Sequence, residues 1–136
     1  MTPVAIHIRT VYQSGGATEA SDQKYAGKRF EKDGNTVLRY EEILCEGEPP
    51  VMTTLFVSER DVRLHRKGSV GGDMVFCAGE VCEFFYRTGF GNLAMQIKTE
   101  SVDIQKNDSD IQIRLVYTLY TDGAEVSRNE MIIVCR

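Results

Sequence analysis

The chain has 136 residues, 42% hydrophobic and 26% charged, with a net charge of −4 and a sequence pI near 5.2. A single domain of this length buries about two-thirds of the surface its unfolded chain exposes. No apolar run reaches the roughly 18 residues a transmembrane helix needs, and the acidic balance argues against a phosphate-backbone binder, a local basic patch aside.

Met1 to Tyr12 alternates and lacks the apolar centre of a secretion leader, so it reads as a first strand. Val4, Ile6, Ile8, Thr10 and Tyr12 share one face; Ala5, His7, Arg9 and Val11 take the other. Residues 13–22 are small and polar and read as a flexible connection. A second strand is expected over Lys24 to Glu31, with Gly27 marking a bulge or a close contact. Lys32-Asp33-Gly34-Asn35 is a tight turn. In a third strand, Val37 to Leu44, Leu38, Tyr40, Glu42 and Leu44 form one phase and Val37, Arg39, Glu41 and Ile43 the other. The prolines at 49 and 50 make 45–50 a loop.

Val51 to Val57, rich in β-branched and aromatic residues, is a fourth strand. Beyond a turn at 58–61, Val62, Leu64 and Arg66 alternate with Arg63, His65 and Lys67. A glycine-rich loop follows at 68–72. Asp73 to Arg87 is one long strand kinked at Gly79, or two short ones. After Thr88 to Asn92, the buried phase Leu93, Met95, Ile97, Thr99 switches to Val102 and Ile104, which requires a β-bulge near Glu100-Ser101. Residues 105–110 are a polar turn. Ile111, Ile113, Leu115, Tyr117 and Leu119 then alternate with polar neighbours up to Asp122-Gly123, a strong hairpin signal, and a last strand returns through Val134. Met131, Ile133 and Cys135 oppose Ile132 and Val134, so this strand is apolar on both faces, and one face needs a cover: the first strand, a loop or a second subunit.

No segment sustains a helical period. About nine strands with hairpin-length connections predict an all-β fold: a single antiparallel up-and-down barrel spanning 1–136, preferred to a sandwich. Cys45, Cys77, Cys82 and Cys135 form no Cys-x-x-Cys pair and only two histidines are present, so reduced thiols in a cytoplasmic protein are expected, with no metal site and no cofactor.

The residues Arg66-x-Gly68, Phe76, Gly79, Tyr86, Phe90-Gly91 and Thr99, followed by the alternating hairpin, resemble the YwiB-like family of small bacterial proteins, a domain of unknown function. The N-terminal half is similar in layout, with an Ile-x-Ile opening strand, Gly27 to Phe30 and Tyr40-Glu41-Glu42. The resemblance implies a calycin-like (lipocalin-like) barrel in a bacterial cytosolic setting. It implies no activity and no catalytic residues. Thr88 stands two residues before Phe90-Gly91, and Gly89 occupies the position where the resemblance leads one to expect proline.

In such a barrel the connections alternate between ends. With 73–87 as one strand, loops 13–22, 45–50, 68–72 and 105–110 form an open mouth with 13–22 as a lid, and turns 32–35, 58–61, 88–92 and 122–123 close the other end. A true hairpin at Gly79 would reverse this parity for everything downstream. Tyr12, Glu42 and Arg66 fall on the interior phase near the mouth, with Tyr40 one layer deeper. Three readings follow. Arg66 with Tyr12 and Tyr40 orients the acidic head group of a small, partly apolar ligand, or Arg66 pairs with Glu42 and closes the core, or the face assignment fails and Arg66 is solvated. Tyr86 and Tyr117 are expected towards the far end as core aromatics, and His7 and His65 on solvated faces.

Catalysis is not expected: there is no nucleophile elbow or phosphate loop, and Glu41 and Glu42 point to opposite faces. The alternative function is a non-catalytic interaction or structural module using the apolar last strand, as a monomer or homodimer. Neither a membrane nor a nucleic-acid partner is expected, although Arg63, His65, Arg66, Lys67 and Lys98 form the one basic strip that RNA could use.

Overall fold

Alternation of apolar and polar side chains commits this chain to strands with one buried face, and such strands are stable only when that face closes on more sheet. A computed structural model describes residues 1–43, 47, 49–68 and 70–136. Its strands are β1 (Thr2–Ser14), β2 (Ala17–Lys32), β3 (Asn35–Glu42), β4 (Val51–Val57), β5 (Asp61–Lys67), β6 (Gly72–Cys77), β7 (Val81–Thr88), β8 (Gly91–Lys106), β9 (Ile111–Thr121) and β10 (Ala124–Cys135). They form one antiparallel sheet in the order β6-β5-β4-β3-β2-β1-β10-β9-β8-β7. Leu44, expected to end the third strand, and Cys45 lie outside the described residues, as does Ser69 of the glycine-rich loop.

The sheet curls until its two edge strands meet. Gly71 and Arg87 exchange backbone hydrogen bonds of 3.0 and 2.8 Å, and this bridge nearly closes the barrel. A side chain at Gly72 would stand 2.9 Å from the Phe85 carbonyl, so glycine permits the seam. The interior is filled by the expected phases: Ile6 on β1, Leu38 and Tyr40 on β3, Leu55 and Val57 on β4, Val62 and Leu64 on β5, and Ile111 through Tyr117 on β9. The bulge falls where the phase switch requires it, between Thr99 and Ser101. Gly27 is a close contact without a bulge: a Cβ there would lie 2.7 Å from both Ile6 Cδ1 and the Arg39 carbonyl.

Two expectations are corrected, the loop at 13–22 and the assignment of ends, and one open alternative, at 73–87, is decided. Residues 13–22 are no loop. β1 runs to Ser14, turns through Gly15 and Gly16 at φ 58° and 83°, and returns in register as a sixteen-residue β2. Ladder hydrogen bonding needs only backbone, so small polar side chains do not prevent it. Residues 73–87 are two strands joined by a hairpin at Gly79 (φ 81°), giving ten strands rather than nine. The parity downstream therefore reverses. The β1–β2, β3–β4, β5–β6, β7–β8 and β9–β10 connections share one end, and both termini lie at the other. The Asp122-Gly123 turn thus belongs to the Arg66 end.

The outer faces are not uniformly solvated. Val37, on the outward phase of β3, is 1% exposed. It stands between Phe30 and Phe56 in the ladder, and the guanidinium groups of Arg39 and Arg63 cover those two rings at 5.5 and 4.6 Å. Ile132 stands between Arg9 and Arg114, and Val134 between His7 and Gln112, so the outer apolar strip of β10 is half-buried by its own cross-strand neighbours.

Candidate functional site

The strands reach different heights at the Arg66 end. β1 and β10 stay paired as far as Gln13 and Arg128, and β2 follows β1 to Ala17, whereas β3 stops at Glu42 and β5 at Lys67. β2 and β3 pair only from Gly27 and Tyr40 outward, leaving the mouth lower on that side. Behind this step lies a cavity of about 230 Å³, lined by Ile8, Thr10, Ser21, Gln23, Tyr25, Tyr40, Glu42, Ile43, Leu64, Arg66, Met131 and Ile133. Larger depressions of about 670 and 780 Å³ lie against the β1–β10 wall. They are lined largely by outward residues such as Gln13, Lys98 and Glu130, or His7, Lys24 and Val134, and hold no buried charge. The mouth cavity brings one inside the barrel.

That charge is a pair. Glu42 Oε1 accepts a hydrogen bond from Arg66 Nε at 3.2 Å and another from Thr53 Oγ1 at 2.5 Å. The two charged side chains are 7% and 19% exposed. Burial disfavours the charge on Arg66, but the adjacent carboxylate more than offsets it and raises its pKa, so the guanidinium stays protonated. The two terminal amino groups of Arg66 make no hydrogen bond to any described residue, nor do the hydroxyls of Tyr25, Tyr40, Tyr86 and Tyr117. None of these atoms is sealed off; the one described side-chain polar atom both sealed and unpartnered is Thr99 Oγ1. Tyr25 and Tyr40 stack at 4.9 Å with 30° between their planes, forming a flat wall.

Tyr40, Glu42 and Arg66 therefore come together as their phases predict. Tyr12 does not join them. It points to the interior phase but stands above the rim, where its hydroxyl donates to Glu19 Oε2 at 2.7 Å across the hairpin. Tyr25 holds the place expected of Tyr12, and its parity with Ile6 across the ladder was the available signal. Tyr86 and Tyr117, expected at the far end, lie at this end and close enough to interact with the Arg66 charge. His7 and His65 are half-exposed, on outward phases, each beside a carboxylate: Asp22 for His7, and Asp73 at 2.6 Å for His65. The basic strip is broken, because Arg66 turns inward and Arg63 lies over Phe56.

Burial raises the pKa of Tyr40, and that of Tyr117 to about 12 from 10.0. For both, the fold favours the neutral phenol. The associated stability is fully present below pH 10.0 and, for Tyr117, is lost as pH rises through about 12. Tyrosinate absorbance should thus show a late step, coincident with alkaline unfolding, that includes Tyr40 and Tyr117. Tyr117→Phe should remove one phenol from that late step; removal of one from the early step would show that Tyr117 is solvated.

Residues 6–133 match the domain of unknown function DUF1934. The chain belongs to the DUF1934 family. It is 25% identical over 132 residues to the uncharacterized beta-barrel protein YwiB of Bacillus subtilis (strain 168), covering 97% of this chain and 92% of that protein. The crystal structure of the ywiB protein from Bacillus subtilis superposes with a TM-score of 0.90 at 24% identity, covering 99% of this chain and 91% of the other. That likeness shows the barrel fold. Among the described residues no group of His, Cys, Asp and Glu could hold a metal ion, and no helix is long and apolar enough to cross a membrane.

Proposed function

We propose that this DUF1934 protein is a non-catalytic, cytosolic barrel that holds one small, partly apolar ligand with an acidic head group at its mouth, in the manner of calycin-like barrels. One observation carries the reading. A largely buried guanidinium, tied to Glu42 through Nε, lines a cavity of mixed polar and apolar walls, and its terminal amino groups meet no partner among the described residues. Those amino groups open onto the cavity, and an anion is the partner that suits a planar guanidinium fork. Ile8, Leu64, Met131 and Ile133 supply the apolar surface for the ligand's body.

A thermal-shift screen with carboxylic acids, phosphate esters and fatty acids tests the proposal. A ligand at a hundred times its Kd adds about 2.7 kcal/mol, or on the order of 8 °C for a domain of this size. At least one acid should reach such a shift with the wild type and lose it with Arg66→Met. No shift with any acid, together with a crystal structure showing the mouth filled by side chains, would overturn it.

A further inference from the structure

We infer that the occupant is a compact aromatic monocarboxylate and that long-chain lipids and phosphates are excluded; the inference rests on the ligand-binding reading above. Size comes first. A cavity of about 230 Å³ is below the ~300 Å³ at which drug-sized pockets begin and has room for about eight water-sized groups. It cannot extend downwards, because Leu38, Leu55, Phe76 and Leu115 fill the barrel beneath it with at most 1% exposure. An acyl chain therefore has no channel to enter.

Charge comes second. Arg66 is the one cation among the residues lining the cavity, and Glu42 already neutralises it. A single negative charge can share the free side of the guanidinium, bonded by its two terminal amino groups. A phosphate dianion would bring two charges against Glu42 with no second cation to balance them. Shape comes third. The offset Tyr25–Tyr40 pair presents flat π surface beside the guanidinium, which suits a planar ring better than a branched aliphatic one.

Isothermal titration of the full chain with benzoate, benzamide, inorganic phosphate and palmitate tests this. Benzoate should bind, with affinity at least about ten-fold above benzamide and lost by about the same factor in Arg66→Met. Phosphate and palmitate should give no binding. Tyr25→Leu, at a half-buried site, keeps the test open if Arg66→Met fails to fold, and should weaken benzoate about three-fold or more through the lost stack. Palmitate or phosphate binding as tightly as benzoate would overturn the inference and leave the broader ligand reading standing. So would unchanged benzoate affinity in Tyr25→Leu. Binding of none of these, with no acid stabilising the protein in the thermal screen, would overturn both.

Discussion

Replacing Phe76 with alanine should destabilise the barrel by about 4 kcal/mol, read as a lower urea midpoint. Phe76 is the largest side chain with no solvent exposure, and its ring meets Tyr117 edge-on at 4.8 Å and 63°. It belongs to β6, which is fully paired with β5 but bonded to β7 only sparsely, by the turn at Gly79, where Glu80 N donates to the Cys77 carbonyl, and by the Gly71–Arg87 bridge. The core around it therefore does more than fill space: it presses a thinly bonded seam shut. Alanine would remove the ring's burial and leave a void that the rigid ladder on the β5 side cannot collapse to fill. A cost under about 1.5 kcal/mol would mean that the seam relaxes freely and that the barrel is an open sheet in solution.

Replacing Glu42 with alanine should cost about 3 kcal/mol for a different reason. Little is lost in apolar burial. The loss is that Arg66, largely buried and held in its charged form, would have no counter-charge, and the Thr53 hydroxyl, which is fully buried, would lose its acceptor. The double variant Glu42→Ala/Arg66→Met removes both charges and should recover most of the stability. Denaturant unfolding of the two variants beside the wild type measures this. If the single variant costs less than about 1 kcal/mol, Arg66 is solvated as a surface pair would be, and the mouth is wetter than described.

Most of the barrel was legible because its signal is local. Period-two alternation placed Ile6, Leu38, Leu64 and Ile113 inside, and the phase slip between Thr99 and Val102 located the bulge. Tyr40, Glu42 and Arg66 followed from the same phases. Height along the barrel axis has no such signal. Tyr12 has the right phase, but β1 continues past the rim with β2 paired to it, so the phenol reaches Glu19 in place of Arg66. Gly79 was ambiguous because a glycine that kinks a strand and a glycine that turns a hairpin look alike when the flanking residues carry no Asn-Gly or Asp-Gly pair. That one ambiguity decided which end received Tyr86, Tyr117 and the Asp122-Gly123 turn. Long-range closure, visible only in three dimensions, resolved it.

At the barrel mouth the terminal amino groups of Arg66 meet no partner among the described residues and open onto the cavity. The most direct measurement is the Nε–Hε resonance of Arg66 in a nitrogen-15 NMR titration with benzoate. It should shift and saturate together with the backbone amides of Tyr25 and Tyr40, while those of Ile111 and Cys135 at the opposite end stay still. A saturating response centred on the end that holds both termini, with Arg66 unmoved, would contradict it.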